Sequence, residues 1–277
     1  MKKRKPIASV FLYLFVFIVC IVTLYPYFVM FITAAKSTSE MYAVDMTVFP
    51  LKWMWSNFIN VWSAAPVLKY LLNSVIVAGG ATALAILCGV PAAYALARMR
   101  FKGKSVFLGI VIMSQMFAPV VLLVGIYKLM TNLGLTNSLL GLILLNAAFN
   151  QAFAVWLLRG TFISISPEME QAAKIDGCGT VRALTRVLLP MAAPGIVTTL
   201  IFVFINAWNE YTIALTLISA DTMKPITVGI NTFYGYNMIQ WQYLFAASLF
   251  ATIPVVILFL CIEKHLVAGL TAGGVKG

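Results

Sequence analysis

Residues 159–194 read RGTFISISPEMEQAAKIDGCGTVRALTRVLLPMAAP and lie between two long apolar runs. The segment holds Glu168, Glu170 and Asp176, three of only 8 acidic residues in a chain of 277. Elsewhere charge is scarce, because 62% of the residues are hydrophobic and 10% are charged, against about 25% charged residues in a typical soluble domain. This pattern predicts a short water-exposed insert in an otherwise membrane-embedded, all-helical protein.

The first half of the insert has the signals of a short capped helix. Ser166 is a good N-cap, and Pro167 is favoured at the first helical position. Acidic residues in the first turn suit the helix dipole. Gly177 accepts the left-handed conformation that ends many helices, so the sequence predicts a helix over about 167–175.

The second half predicts another short helix. Thr180 is expected to cap it, Leu188 to be its last residue, and Pro190 to close it. The insert is therefore expected to form a helix–turn–helix on the cytoplasmic side of the membrane.

One face of the first helix is defined by residues at i, i+3, i+4 and i+7. These residues are Met169, Ala172, Ala173 and Asp176. The two alanines allow another surface to come close, yet so small a face does not stabilise an isolated helix. Spacing alone leaves two alternatives open, a partner protein or the chain's own loops.

Six apolar stretches are long enough to cross a bilayer, which takes about 20 residues. They are approximately 7–33, 71–97, 106–130, 138–158, 194–218 and 243–262, within one transmembrane domain over 1–277 that includes a loop over 159–193. Pro91, Pro119 and Pro254 fall inside these stretches and are expected to kink them.

The positions of Lys and Arg predict that both chain ends are cytoplasmic. Most of these residues fall in alternate segments: 2–5, 98–104, 159–186, Lys264 and Lys276. The remaining segments hold only Lys36, Lys52, Lys69, Lys128 and Lys224. The formal net charge of +11 is thus explained by membrane topology, and a nucleic-acid partner is not expected.

A polar stripe occurs in the fifth predicted span, which contains FINAWNEYTIALTL. Asn206, Asn209 and Glu210 are spaced i, i+3, i+4 and are flanked by Tyr211. Charged groups inside a membrane usually face a bundle interior or a water-filled cavity. The stripe is expected to line a solute pathway, and the open alternative is that Glu210 is a solvated residue at the mouth of the span or a structural cap to a neighbouring helix.

The stretch EQAAKIDGCGTVRALTRVLLP resembles the EAA loop of the inner-membrane permeases of ABC importers. The residues that match the loop are Ala172, Ala173, Asp176, Gly177, Leu189 and Pro190. Gln171 departs from the acid that the family has directly before the alanine pair, and Glu170 stands one place earlier.

Other stretches extend the resemblance along nearly the whole chain. They are TLYPYFVMFITAAKSTSE, NSVIVA, AYALARMRFKGK and GLTAGGVKG. All look like the shorter, six-span permease subunit of maltose-type carbohydrate importers.

The resemblance implies a transport subunit in the bacterial cytoplasmic membrane. A second permease, two ATPase subunits, an extracytoplasmic sugar-binding protein and a di- or oligosaccharide would be its partners. Residues 170–173, 176, 177, 189 and 190 would couple it to the ATPases. The sequence has no GxxxxGK[ST] loop, so ATP is expected only on the partner subunits, and no cofactor on this chain.

Two other classes of protein fit the sequence less well. A stand-alone secondary transporter usually has internal repeats, and none is evident here. A membrane-embedded transferase would need a carboxylate pair or a metal site. His265 is the only histidine, the four cysteines lack metal-binding spacing, and Glu168 and Glu170 point to different faces of a helix. No catalytic residue and no metal site are therefore expected.

Overall fold

The computed structural model describes residues 6–45, 47–116, 118–235 and 238–274. Helices dominate this part of the chain, in which the only strand-like pairing is a single bridge between Tyr234 and Ile239. The α-helices are α1 (Pro6–Ala34), α2 (Thr38–Met41), α3 (Asn57–Ala64), α4 (Val67–Arg98), α5 (Lys104–Ser114), α6 (Pro119–Asn132), α7 (Leu139–Ser164), α8 (Pro167–Ile175), α9 (Thr180–Ala183), α10 (Leu189–Trp208), α11 (Thr212–Leu217), α12 (Ile226–Gly229) and α13 (Trp241–Gly274). The all-helical prediction is confirmed. The basic residues at 2–5 and Lys276 lie outside the described residues.

Five helical stretches among the described residues are long and apolar enough to cross a membrane. They are Val10–Ala34, Val67–Arg98, Leu139–Ser164, Thr180–Trp208 and Trp241–Cys261. They correspond to the first, second, fourth, fifth and sixth predicted spans.

The third predicted span, 106–130, differs from the prediction because it contains two shorter helices. The helix α5 ends at Ser114, and α6 begins at Pro119. Ala118, the residue before this proline, is extended with ψ of 130°, since a proline disfavours helical backbone at the preceding residue. Pro91 and Pro254, in contrast, lie inside the continuous helices α4 and α13.

The chain divides into two compact units. The first comprises residues up to Val67 together with Ile230–Ile253. In it, the buried Asn57 side chain donates hydrogen bonds to the backbone oxygens of Ala34 and Lys36, which fastens α3 to the end of α1.

The second unit comprises Leu68–Gly229 and the residues from Pro254 onward. Helices α7 and α10 approach so closely that a Cβ atom at Gly195 would overlap the Thr161 side chain. An apolar cluster from the ends of three long helices lies next to the insert and includes Tyr94, Leu158, Phe162, Leu188 and Ala192. This buried cluster supports the insert.

Candidate functional site

The first helix of the insert forms as its local signals predict. The Ser166 hydroxyl accepts a hydrogen bond from Glu168 N, and Pro167 begins α8. At the other end, Gly177 has a φ of +83°. Its N–H donates to Lys174 O, and Cys178 N–H donates to Ala173 O at 2.9 Å. This paired arrangement is a Schellman motif, which satisfies the last carbonyls and makes the turn rigid.

The inner face of α8 is attached to the end of α4 through Glu170, whose exposed fraction is 7%. Tyr94 Oη donates to Glu170 Oε1 at 2.9 Å, and Lys174 Nζ donates to the same oxygen at 2.7 Å. Arg98 Nε lies 3.6 Å from Glu170 Oε2. The Arg98 guanidinium also donates to Ile165 O at 2.6 Å, so one side chain holds both α8 and the segment before it.

This environment keeps Glu170 charged. Burial by itself would raise the pKa of the carboxyl group, but hydrogen bonds from Lys174 and Tyr94 and the charges of Lys174 and Arg98 outweigh it. The net result is a pKa below the ordinary value for glutamate.

The outer face of α8 consists of exposed residues. Gln171, Ala172 and Asp176 are exposed, as are the apolar side chains of Met169 and Ile175. Ile175 is 86% exposed, which is unusual for an isoleucine on a helix that is otherwise anchored.

The prediction that Met169, Ala172, Ala173 and Asp176 form one face for docking is wrong for Ala173. Ala173 is only 6% exposed and lies with Glu170 on the inner side of α8. The attachment of Glu170 to α4 fixes the rotation of the helix, and Ala173, three residues later, turns inward with it.

The second helix of the insert neither begins nor ends at the predicted residues. Gly179, not Thr180, occupies the N-cap position of α9. A π-helical turn over Leu184–Leu188 then continues directly into α10, which starts at Leu189 and contains Pro190. Pro190 therefore does not close a short helix. A proline lacks an N–H and clashes with the carbonyl four residues earlier, and the wider π turn before it relieves that conflict.

The insert is thus fixed to two long helices. The helix α8 is held against α4 by Glu170, and α9 is continuous with α10 through the π turn. Its exposed apolar side chains, Met169, Ile175 and Val181, are available to a docking partner.

The polar stripe of the fifth span has a different geometry from the one predicted. The helix α10 ends at Trp208, with Asn209 as its C-cap. Asn206 and Asn209 are exposed, but they share no continuous helical face with Glu210. The one-face prediction is wrong because the backbone breaks before Glu210.

Glu210 caps the next helix, α11. Its Oε1 accepts from Ile213 N at 2.8 Å and its Oε2 accepts from Ala214 N at 3.0 Å. Its backbone oxygen accepts from Thr227 Oγ1. The structural cap is therefore observed, and the neighbouring Tyr211 is 40% exposed.

The sequence interpretation missed Tyr94 and Arg98 as partners of Glu170. One signal was available, since Tyr94 and Arg98 are spaced i, i+4 at the end of an apolar span and share a helical face. Their pairing with an acid in a distant insert could not be read from spacing.

Comparisons with known proteins agree with this architecture. The profile of the family described as "Binding-protein-dependent transport system inner membrane component" matches residues 81–271. An inner membrane ABC transporter permease of Escherichia coli K12, YcjP, is 32% identical over 93% of this chain and 92% of its own length. SmoH of Agrobacterium fabrum, a sulfoquinovosyl glycerol transport system permease, is 37% identical over 92% of this chain and 89% of its own length.

Two further matches are a relative and a solved structure. MalG of Thermococcus litoralis, a trehalose/maltose transport system permease, is 35% identical over 75% of each chain. A chain in the crystal structure of a bacterial ABC transporter that imports alginate has the same fold, with a TM-score of 0.80, 22% identity, and coverage of 96% of this chain and 100% of that one. The chain therefore belongs to the family of binding-protein-dependent transport system inner membrane components, and it is a transport subunit rather than an enzyme.

Proposed function

We propose that this chain is a permease subunit of an ATP-driven importer of a di- or oligosaccharide. Two of the relatives named above, SmoH and MalG, are permeases of transport systems for sulfoquinovosyl glycerol and for trehalose and maltose, and the similar solved structure belongs to an importer of a polysaccharide. These likenesses support the proposed substrate class. A stand-alone secondary transporter and a membrane-embedded transferase lose their support, because the chain belongs to a family of binding-protein-dependent transport components.

The observation that carries the proposed mechanism is the double attachment of the insert. An ATPase that pushes or pulls the outer face of α8 would move α4 through Glu170, Tyr94 and Arg98. The same movement would enter α10 through α9 and the π turn. The residues proposed to act in coupling are Glu170, Gln171, Ala172, Ala173, Asp176, Gly177, Leu189 and Pro190, with Ala173 supporting the helix from its buried side.

Six membrane crossings remain part of the proposal, with α5 and α6 forming one discontinuous span. At a rise of about 1.5 Å per residue, α5 alone is roughly 16 Å long and α6 roughly 21 Å, both shorter than the ~30 Å hydrocarbon core. Used one after the other, they cover the required thickness. An odd number of crossings would place the chain ends on opposite sides, whereas six agrees with the cytoplasmic location proposed for both.

A second permease is proposed to cover part of α1 and to complete the translocation path. Only 6% of the apolar window of α1 is buried within the chain. A helix that is apolar on all sides needs lipid or a protein neighbour around it. Two ATPase subunits, which would bind the ATP, and an extracytoplasmic sugar-binding protein would complete the importer.

Asn206, Asn209 and Tyr211 are proposed to line the sugar pathway. Their side chains are exposed where α10 ends, and amides and aromatic rings are suited to sugar hydroxyl groups and faces. Glu210 would shape this region through its cap on α11.

Reconstitution tests the proposed function. The chain would be co-expressed with the proteins encoded beside it, purified as a complex and placed in liposomes with external binding protein. ATP-dependent uptake of a labelled oligosaccharide is expected. Uptake driven by an ion gradient without ATP would contradict the proposal.

A further inference from the structure

A basic turn joins the helices α4 and α5. Residues 99–104, which follow Arg98 at the end of α4 and run to the first residue of α5, read MRFKGK and are called here the basic turn. Gly103, in the turn between two apolar helices, has a φ of +89°, a left-handed conformation that glycine adopts without steric cost. The turn therefore lies at the end of a 32-residue helix that is long enough to span a membrane.

The two central cations of the turn are not neutralised by any residue that the structure describes. Arg100 and Lys102 are exposed and form no ion pair or hydrogen bond with another described residue. The flanking cations differ, since Arg98 is held by Glu170 and Ile165 O, and Lys104 Nζ lies 3.4 Å from Met99 O. Residues 99–104 contain no acid, so the turn concentrates positive charge that an anion would stabilise.

Exposed apolar side chains alternate with these cations. Met99 is 43% exposed and Phe101 is 46% exposed, and each precedes a cation. An acidic water-soluble partner would satisfy the charges but would not by itself favour this alternation. At a membrane boundary both kinds of side chain are in a favourable environment, because apolar groups enter the acyl region while cations stay among the headgroups.

We propose that the basic turn binds the headgroups of anionic phospholipids through Arg100 and Lys102, with Met99 and Phe101 inserted at the acyl boundary. The proposal rests on exposure, charge and position next to two apolar helices. It does not depend on coupling to an ATPase.

The test uses a local reporter in the full chain. Ser105 is exposed next to the turn, so a Ser105→Cys variant lacking the native Cys20, Cys88, Cys178 and Cys261 would carry a bimane fluorophore. The protein is placed in phosphatidylcholine bilayers that contain a fixed fraction of brominated phosphatidylglycerol, or in a matched set with brominated phosphatidylcholine. The ratio of quenching gives the local preference for the anionic lipid.

Phosphatidylglycerol is expected to quench the reporter more strongly than phosphatidylcholine. Each cation near a membrane surface favours anionic lipid by about fivefold. Arg100→Gln combined with Lys102→Gln should therefore reduce the preference by roughly 25-fold or to parity. Lys128→Gln and Lys69→Gln alter exposed lysines elsewhere and serve as matched controls that should leave it unchanged. Salt at 0.5 M should weaken the preference in the parent.

Several outcomes would overturn the proposal. Equal quenching by both lipids in the parent, or an unchanged preference in the double variant, would remove the lipid assignment. Displacement of the lipid signal by millimolar inorganic phosphate would assign the turn to free phosphate instead. Loss of a co-purified ATPase in the double variant, with lipid preference retained, would identify a protein contact.

Discussion

The phenol of Tyr94 donates a hydrogen bond of 2.9 Å to the carboxylate of Glu170, and it thereby joins a long apolar helix to the short helix α8. This bond, with Arg98 of α4 on the same carboxylate, determines which face of α8 is buried. The face left exposed is the proposed docking surface.

Replacement of Glu170 by Gln should loosen α8 from α4. The amide keeps the size of the side chain but removes the charge opposite Arg98 and Lys174, and hydrogen bonds to charged groups contribute about 1.5–3 kcal/mol. We expect the free energy of unfolding in detergent to fall by about 2 kcal/mol and ATP-driven uptake to decline. Glu168→Gln, at an exposed position of the same helix, is the matched control and should cost less than about 1 kcal/mol. Equal effects of the two variants would show that the attachment is unimportant.

The contribution of Glu170 should depend on pH in a defined direction. Because folding lowers the pKa of this carboxyl group, its stabilisation is fully present above the ordinary glutamate value of 4.5 and is lost as pH falls through the lower folded value. The difference in melting temperature between the parent and Glu170→Gln should be constant near pH 6–7 and shrink below about pH 4. The pKa of Asp221 is also lowered by Lys224. Its contribution to the pH dependence is the same in both proteins and cancels in the difference. A difference that stays the same down to the lowest accessible pH would argue against this direction.

The turn after α8 should tolerate only residues that accept a positive φ. Gly177→Ala places a Cβ atom in the left-handed region and should cost about 1–2 kcal/mol, while Gly177→Asn should cost less. Gly179 lies two residues away with a φ of −69°, so Gly179→Ala is the matched control and should leave ATP-driven uptake near the parental rate. Uptake and complex assembly would be measured together. If Gly177→Ala transports at the parental rate, a rigid turn is not required for coupling.

The boundaries of α8 were predictable because its signals are local. A capping serine, a proline at the first position and a glycine after the last turn determine its ends with little help from the rest of the fold. The rotation of the same helix was not predictable. It depends on Tyr94 and Arg98, which are far away in sequence, and the inward position of Ala173 follows from that contact.

The effect of each proline on its helix was also not predictable from the sequence alone. Pro119 separates two helices, Pro91 lies inside a continuous one, and Pro190 follows a π turn within a helix that continues. The missing N–H is the same in all three cases, and the neighbouring packing decides whether the helix ends, bends or widens. The sequence therefore predicted a single span over 106–130 with a kink at Pro119, where the structure has two separate helices.

The pathway proposal predicts water access at the end of α10. Single cysteines at Asn206 and Asn209, in a background without native cysteines, should react with a charged thiol reagent added from outside. The rate should change when ATP and the loaded binding protein are present. A cysteine at Ala207, which is 5% exposed, is the buried control. Absence of labelling at both positions in every state would remove them from the pathway, leaving family membership unaffected.

The central claim is that the outer face of α8 docks on an ATPase, and site-specific photo-crosslinking tests it most directly. A photo-reactive phenylalanine derivative would replace Ile175, which is 86% exposed. Leu133, an exposed residue between α6 and α7 on the predicted opposite side of the membrane, would carry it in the control. After irradiation of membranes that contain the assembled importer, we expect a covalent adduct between the chain and the ATPase from position 175 and none from position 133. An assembled, active complex that yields no ATPase adduct from position 175 would contradict the account.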